Sequence, residues 1–481
     1  MATRPQHAGD LIVSSNFIRA AREAGYVSVS TALSELIDNA LEAQASDISV
    51  SISRSASNGM PQIEVEDNGI GMNATELSDC LRFGGSSRFG GKESFGRFGM
   101  GLPSASLSQT RNIQVTAWMQ DSAALTVSLD VDQIVAGQPV DLTPRPGAGG
   151  VTESGCRIAW QDCDRIEYQR LAWLERALHR DLGQIYRRFL NTQIRLTING
   201  TVVEPIDPTL LTTELNGSSA LLAFEPLKFE VAAGPLNTGF VTVRFSILPV
   251  SSWHSLDSVT KRRVGIVGHG GVSILRAGRE VASGWHFMGG KRKENYDDWW
   301  RCEVEFDPIL DEQFGITINK QGIRPSRALR EALEPDLESI ARMLNSRVRQ
   351  SFEDAKFNSA AAKSCSIAES ADADLPILQG NGKTTGPIRY EIRSAPLPLD
   401  LMFETSLSSQ TLTIVLNVDH PGFSALYKPL QEMQEQRSSE LRTAVELLII
   451  SYARATFQVG NSGDDVHRAW STTYGRMLQR S

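Results

Sequence analysis

Three short motifs in and around the stretch from Thr31 to Gly101 constrain this sequence more than any other feature. In chain order they are STALSELIDNALEA, EDNGIGM and SFGRFGMGLPSAS. Each motif is common by itself. A helix with one Glu and one Asn is usually a solvated face, DNG is a frequent turn, and a glycine-rich loop is often only a surface loop. Their order and close spacing indicate one composite site.

The first motif predicts a helix, because apolar residues recur at helical spacing from Leu33 to Leu41. Glu35 and Asn39 are four residues apart, so they project from one face of that helix. An amide oxygen beside a carboxylate suits a hard cation and a water molecule. We therefore predict that Asn39 ligates Mg²⁺ and that Glu35 orients and deprotonates an attacking water.

The second motif follows a segment, Gln62 to Glu66, whose alternation predicts a strand with one buried face. Asp67 stands at the end of this strand. Its carboxylate can accept a hydrogen bond from an exocyclic amine such as that of adenine, while Gly69 and Gly71 let the backbone approach the base. A simple hairpin turn is the alternative, and the motif alone favours it.

The third motif is a glycine-rich loop that leads into a predicted helix from Leu102 to Ser108. Backbone N–H groups at a helix N-terminus form a cradle for phosphate, and Gly96, Gly99 and Gly101 would line it. The preceding segment contains Ser86 and Ser87. Its composition is that of a lid over phosphates or of a flexible surface loop.

Together the three motifs resemble those of the GHKL ATPase superfamily, which includes DNA gyrase B, heat-shock chaperones of the ninety-kilodalton class, MutL, histidine kinases and MORC proteins. They are similar to its N box, adenine-binding box and phosphate-binding box, with the closest likeness to MORC-like and heat-shock-chaperone-like members. The resemblance implies ATP hydrolysis with ATP and Mg²⁺ as cofactors. It adds these residues to the expected nucleotide contacts: Met72, Phe98, Met100 and Leu102.

Two later positions gain a role from the resemblance. The family usually has a Gly-Thr pair that supports the adenine contact through the residue matching Asp67, and here Cys156 stands where Thr is expected. A thiol is a weak donor, so either adenine affinity is lower or the alignment is shifted; a buried core cysteine is the alternative. Lys320, in FGITINKQ, resembles the lysine that a transducer loop returns to the γ-phosphate, and otherwise is a solvated loop residue.

The expected fold class is α+β. We predict a GHKL (Bergerat) ATP-binding sandwich at 1–215, a transducer-like domain at 216–350, and a small α/β or helical C-terminal module at 391–481 for association or partner docking. Residues 351–390 are rich in Ala, Ser, Asp and Gly and are predicted to be a linker. A helix is expected at Arg327–Asn345.

Composition limits the compartment and the partners. The net charge of −8 gives no overall attraction to nucleic acid or to an anionic membrane. The five cysteines are odd in number and lack metal-ligand spacing, so they are expected to be free thiols in a reducing cytosol. Neither a signal sequence nor a membrane-spanning apolar run is evident, and we predict a cytoplasmic protein without membrane contact.

Several partners remain open. The resemblance implies an ATP-dependent homodimer, in which residues 10–29 are a helix and arm that swap between protomers; a simple packing helix is the equal alternative. A DNA-associated machine of the MORC or MutL kind, a chaperone-like clamp on protein clients, and a nucleotide-sensing scaffold with little turnover compete as outputs. A histidine kinase is disfavoured, because no histidine-bearing helical hairpin precedes the ATPase motifs.

One basic cluster, Lys291-Arg292-Lys293, could serve the first of these outputs. The aromatic residues beside it are Trp285, Tyr296, Trp299 and Trp300. Cations interleaved with aromatic rings can bind nucleic acid by phosphate contact and stacking. The alternative is a solvated face above packed tryptophans.

Overall fold

The structure is a computed structural model, and the chain forms two compact units within it. The described residues are 14–23, 25–26, 28–85, 100–150, 153–168, 170–235, 237–316, 322–371, 388–408, 410–432, 436–459, 464 and 466–468. The first unit lies within 1–248 and 257–342, and the second within 249–256 and 343–481. Helices and sheets are both present in quantity, so the predicted α+β class is confirmed.

The first unit begins with a layer of helices on an eight-stranded sheet, counted over the described residues. The helices are α1 (Ser14–Glu23), α2 (Val29–Glu42), α3 (Ala74–Asp79), α4 (Gly101–Gln109), α5 (Val131–Val135) and α6 (Leu171–Ile185). The strands are β1 (Asp47–Arg54), β2 (Pro61–Asp67), β3 (Asn112–Trp118), β4 (Ala123–Asp130), β5 (Arg145–Gly150), β6 (Gly155–Gln161), β7 (Arg195–Ile198) and β8 (Thr201–Val202). Their order is β5-β4-β3-β6-β2-β1-β7-β8, and only the β1–β7 pair is parallel within these residues.

Helix α2 is central to this layer, because it packs against both α4 and α6. Strand β2 alternates as predicted, with Ile63 and Val65 buried. The predicted turn at Asn199-Gly200 is confirmed as well. Both residues have positive φ, +47° and +79°, as a type I′ hairpin requires.

A second sheet follows in the same unit. Its region contains β9 (Glu214–Leu215), β10 (Ser218–Ser219), β11 (Leu221–Leu222), β12 (Leu227–Ala232), β13 (Thr238–Ile247), α8 (Ser258–Val264), β14 (Val272–Arg276), β15 (Arg279–Gly284), β16 (Trp300–Phe306) and α9 (Asp311–Phe314), with 3₁₀ turns at Asn295–Trp299 and Pro308–Leu310. Helix α7 (Val250–Trp253) lies in the chain between β13 and α8 but belongs to the second unit. The sheet order is β11-β13-β16-β14-β15, and β12 also pairs with β13.

The second unit has its own core around a three-stranded sheet. Its elements are the later part of α10 (Arg327–Ala371), β17 (Arg389–Ala395), β18 (Phe403–Ser408), β19 (Thr411–Asn417), a π-helical turn at Phe423–Tyr427, α11 (Lys428–Glu432) and α12 (Gln436–Val459). Strand β19 lies between β17, to which it is parallel, and β18, to which it is antiparallel. The predicted strand at Thr411–Asn417 is thus confirmed.

The predicted linker was wrong for residues 351–371, because α10 continues through them. Phe357, Ala361, Cys365 and Ala368 recur every three or four residues and are buried in the core of the second unit. An Ala- and Ser-rich composition hid this helical stripe, since small residues pack closely without appearing hydrophobic. Residues 372–387 of the predicted linker lie outside the described residues.

All five cysteines are free thiols, as predicted. In the part of the chain that the structure describes, no helix combines the length and the apolar character needed to cross a membrane.

A buried charge network joins the end of α6 to the second sheet of the first unit. Arg187, just after α6, lies 2.6 Å from the Glu280 carboxylate on β15 and 2.9 Å from that of Glu303 on β16. Although burial alone raises the pKa of Glu303, Arg187 and Arg188 hold it below its ordinary value. Ion pairs buried this deeply are costly to break from one side, because the remaining charge is left in the interior.

We therefore expect Arg187→Met to lower the free energy of unfolding by about 3–5 kcal/mol. Arg188→Met is the matched control: its side chain is 46% exposed, and Glu303 keeps Arg187 and Arg244. The control should lose no more than about 1 kcal/mol. Urea denaturation of both variants measures the difference, and equal losses would contradict a buried link between the end of α6 and the second sheet.

Candidate functional site

Helix α2 carries the first two candidate residues in an unusually buried setting. The helix is capped by Ser28, whose side chain accepts from the backbone N–H of Thr31, and ten of its fourteen residues are buried. Glu35 is only 3% exposed, while Asn39 is half-buried. The alternative of an ordinary solvated face is therefore excluded for Glu35. A buried carboxylate needs partners, and the Tyr26 hydroxyl donates to its Oε2 at 3.2 Å.

Asp67 ends β2 and is 8% exposed. Burial raises the pKa of its carboxyl to about 6, although the backbone N–H of Gly69 donates to Oδ1 at 2.9 Å and opposes that shift. The Gly69 N–H is the one hydrogen-bond donor described for this buried carboxylate. The carboxylate is therefore well suited to accept a second hydrogen bond from a ligand.

The two glycines of the second motif are needed for close packing. A Cβ on Gly69 would lie 2.7 Å from the carbonyl oxygen of Ala43 at the end of α2. Gly71 has a φ of +72°, and a Cβ there would lie 2.1 Å from the carbonyl oxygen of Trp118 on β3. The sequence predicted close approach to a base. The contacts that the structure describes for these glycines are with the chain itself, and they fix the turn between α2 and β3.

The third motif meets the first one directly. A Cβ on Gly101, the first residue of α4, would lie 2.0 Å from Oε1 of Glu35. The N-terminus of α4, with Met100 as its half-buried cap, therefore faces the Glu35 carboxylate. Free N–H groups and the helix dipole favour negative charge at such an end.

Cys156 lies next to Asp67, because the two residues are paired across β2 and β6. The thiol is buried, and burial together with the Asp67 charge raises its pKa well above the ordinary value. It is therefore a neutral S–H group. The sequence left two alternatives for Cys156, a core cysteine or a residue that supports the Asp67 contact. The position is compatible with both, since Cys156 belongs to the core and also lies beside Asp67.

Residues 27–147 match the family model described as "Histidine kinase-, DNA gyrase B-, and HSP90-like ATPase". These residues form an ATPase domain of the GHKL superfamily. The match covers all three motifs but ends before Cys156 and Lys320. No curated protein matches the chain. The closer likeness to MORC-like and heat-shock-chaperone-like members stays a prediction.

The remaining predicted contacts of the GHKL domain divide into two groups. Met72 and Leu102 are half-buried and pack against the core of the first sheet. Six predicted residues lie outside the described residues and stay predictions: Ser86, Ser87, Gly96, Phe98, Gly99 and Lys320.

A second carboxylate on α2, that of Asp38, was not predicted from the sequence. Asp38 is fully buried, and its Oδ1 lies 2.9 Å from Nε of Arg279 and 2.7 Å from the hydroxyl of Tyr186. Its position between Glu35 and Asn39 was visible in the sequence. Its partner Arg279 stands 241 residues away, and no pattern in the sequence pointed to it.

One cation of the basic cluster at 291–293, Lys291, does not have the exposure that nucleic-acid binding requires. Lys291 is 4% exposed, and its Nζ lies 2.7 Å from Oδ1 of the buried Asp297. Trp299 and Trp300 are buried too, so they cannot offer faces for stacking. Arg292 and Lys293 are exposed. The interpretation of all three cations as a phosphate-binding patch was therefore wrong for Lys291.

The raised pKa of Asp67 predicts a pH-dependent cost to stability. A carboxyl with a pKa of 3.8 when unfolded and about 6 when folded favours folding below pH 3.8 and loses that contribution as the pH rises through 6. The loss is roughly 3 kcal/mol above pH 7. Asp67→Asn should thus stabilise the nucleotide-free protein, with a gain that grows by roughly 1–2 kcal/mol between pH 5 and pH 7.5.

Urea denaturation at the two pH values tests this. Glu64→Gln, on the same strand but half-exposed and 3.7 Å from Arg157, is the control and should show no such gain. A gain for Asp67→Asn that does not change with pH would contradict the assigned cause.

Proposed function

We propose that this chain is a Mg²⁺-dependent ATP hydrolase whose nucleotide state controls its conformation. One observation carries the proposal: the Glu35 carboxylate lies directly against the N-terminus of α4 at Gly101. A helix N-terminus binds phosphate, so a carboxylate held there stands beside the bond to be broken. Among side chains, a carboxylate within reach of a water is a suitable general base.

The opposite end of the proposed site would bind the adenine ring. Asp67 would accept a hydrogen bond from the adenine amine, with the Cys156 thiol beside it as a weak donor. With a pKa of about 6, Asp67 is mostly ionised at neutral pH, which favours an amine donor. Adenine recognition should therefore weaken as the pH falls below 6.

The residues present fit a magnesium ion that arrives with the nucleotide. Among the described residues, no group of three or more His, Cys, Asp or Glu side chains could hold a metal alone. Mg²⁺ commonly takes one or two protein oxygens and completes its shell with phosphate and water, so the half-buried amide of Asn39 suffices. When bound, the ion would neutralise charge on the phosphates.

Glu35 then has a defined task. Its Oε2 accepts from Tyr26, while its Oε1 faces the start of α4. The Tyr26 contact would hold the carboxylate in one orientation, so that the other oxygen can orient water and receive its proton.

We expect Glu35→Ala to abolish ATP hydrolysis while ATP still binds, because a general base acts only in the chemical step. Glu42→Gln, two turns further along α2, is the matched control and should hydrolyse ATP normally. Calorimetry with ATP and a phosphate-release assay give the two measurements. Undiminished turnover in purified Glu35→Ala would refute the assignment.

Asn39→Ala and Asp67→Asn should instead lose ATP binding.

We further propose that ATP drives dimer formation, with Lys320 contacting the γ-phosphate. This part depends on the resemblance of FGITINKQ to a transducer loop. The switch could serve any of three roles: a DNA-associated machine, a clamp on protein clients or a nucleotide-sensing scaffold. The burial of Lys291 and the net charge of −8 reduce the support for the first. Salt-sensitive binding of DNA or RNA would favour it, and suppression of client aggregation would favour the second.

A non-hydrolysable ATP analogue should shift the Glu35→Ala protein toward a dimer, or compact a dimer that already exists. Lys320→Ala should reduce that shift more than it weakens nucleotide binding, because the adenine contacts remain. Small-angle scattering with the analogue and with ADP tests both statements. Identical profiles in the two nucleotide states would rule out the switch.

A further inference from the structure

Arg279 connects the second sheet of the first unit to the helix that carries Glu35. It is the first residue of β15, is 4% exposed, and donates from Nε to Oδ1 of Asp38 at 2.9 Å. Asp38 is fully buried on α2. An ion pair inside the protein is weakly screened by solvent, so the two elements are joined by a strong and directional contact.

Asp38, which Arg279 contacts, lies on the same face of α2 as Glu35 and Asn39. Successive helical residues are about 100° apart, so Glu35, Asp38 and Asn39 fall within roughly 100° of one another around the axis. The charges of both carboxylates, Asp38 and Glu35, also stabilise the charge on Arg279. Although burial opposes its charge, Asp38 and, more weakly, Glu35 hold the pKa of Arg279 above its ordinary value.

Two tyrosines complete the arrangement around this turn of α2. The Tyr186 hydroxyl lies 2.7 Å from Oδ1 of Asp38 and 2.7 Å from the backbone carbonyl of Ser34. Tyr26 donates to Glu35 on the neighbouring part of the helix. The segment from 34 to 38 is therefore held from several sides by polar contacts.

The hairpin formed by β14 and β15 is itself anchored. Glu280, next to Arg279, accepts from Gln184 at 2.6 Å and from Arg187 at 2.6 Å. Arg187 in turn binds Glu303 on β16. A continuous buried network thus runs from the second sheet, through Arg279, to α2, and a shift of the hairpin would move the helix or break the Asp38 pair.

We propose that Arg279 is a positioning residue for ATP hydrolysis, through which the β14–β15 hairpin holds α2 and Glu35 in place. The inference rests on the proposed function. Misplacement of a reacting group by about 1 Å can cost on the order of a hundredfold in rate, so a contact one turn from the base affects turnover without touching the nucleotide. Hydrolysis, unlike binding, then depends on the hairpin being seated on α2.

The decisive variant is the double substitution Asp38→Asn with Arg279→Met. Removing both charges avoids a single unpaired buried charge, which would unfold the protein for trivial reasons. The amide introduced by Asp38→Asn would keep an oxygen for Tyr186. The matched control is Lys291→Met with Asp297→Asn, a second buried ion pair in the same unit, which involves no residue of α2.

We expect the Asp38/Arg279 double variant to bind ATP within about twofold of wild type while kcat falls on the order of ten- to a hundredfold, with KM little changed. Arg279→Lys, which keeps the charge but loses the planar guanidinium, should give an intermediate kcat. The control should retain wild-type kcat. Calorimetry with ATP, steady-state phosphate release and thermal melting supply the measurements.

Three results would overturn the inference. One is wild-type kcat in the double variant. Another is a parallel loss of affinity, kcat and melting temperature that the control shows equally, which would mean general loosening. The third is a wild-type protein that does not hydrolyse ATP. Only that third result also refutes the proposed function, so the two failures are distinguishable.

Discussion

Helix α2 must keep two carboxylates, Glu35 and Asp38, in an interior that largely excludes water, and the first unit is arranged around that requirement. A buried charge persists only when hydrogen bonds and opposite charge compensate it. Tyr26 serves one carboxylate, while Tyr186 and Arg279 serve the other. The protein thereby binds its second sheet to the helix that carries its candidate chemistry.

The contacts around α2 also explain how the three motifs come together. Gly69 and Gly101 each lack a Cβ at a point where one would collide with α2 or with its side chain. The turn after β2 can therefore lie against the C-terminal end of α2, and the start of α4 against its middle, at Glu35. A larger residue at either position would push the turn after β2, or the start of α4, away from α2.

Burial also decides between interpretations that composition leaves open. Lys291 looks like a surface cation in the sequence, yet it is held inside by Asp297. Residues 351–371 look like a linker, yet Phe357 and its helical neighbours contribute to a second core. In both cases local composition reports the polarity or size of side chains but carries no information about the partner that covers them.

The sequence by itself determined the GHKL ATPase domain, the helix with Glu35 and Asn39, the strand before Asp67, and the start of α4. These follow from periodicity and from short motifs, which depend on residues close together in the chain. Only the tertiary structure decided that Asp38 pairs with Arg279, that Cys156 lies beside Asp67, and how deeply Glu35 is buried. Such contacts join segments far apart in the chain: pairing of β2 with β6 places Cys156 beside Asp67, and contact of β15 with α2 places Arg279 beside Asp38.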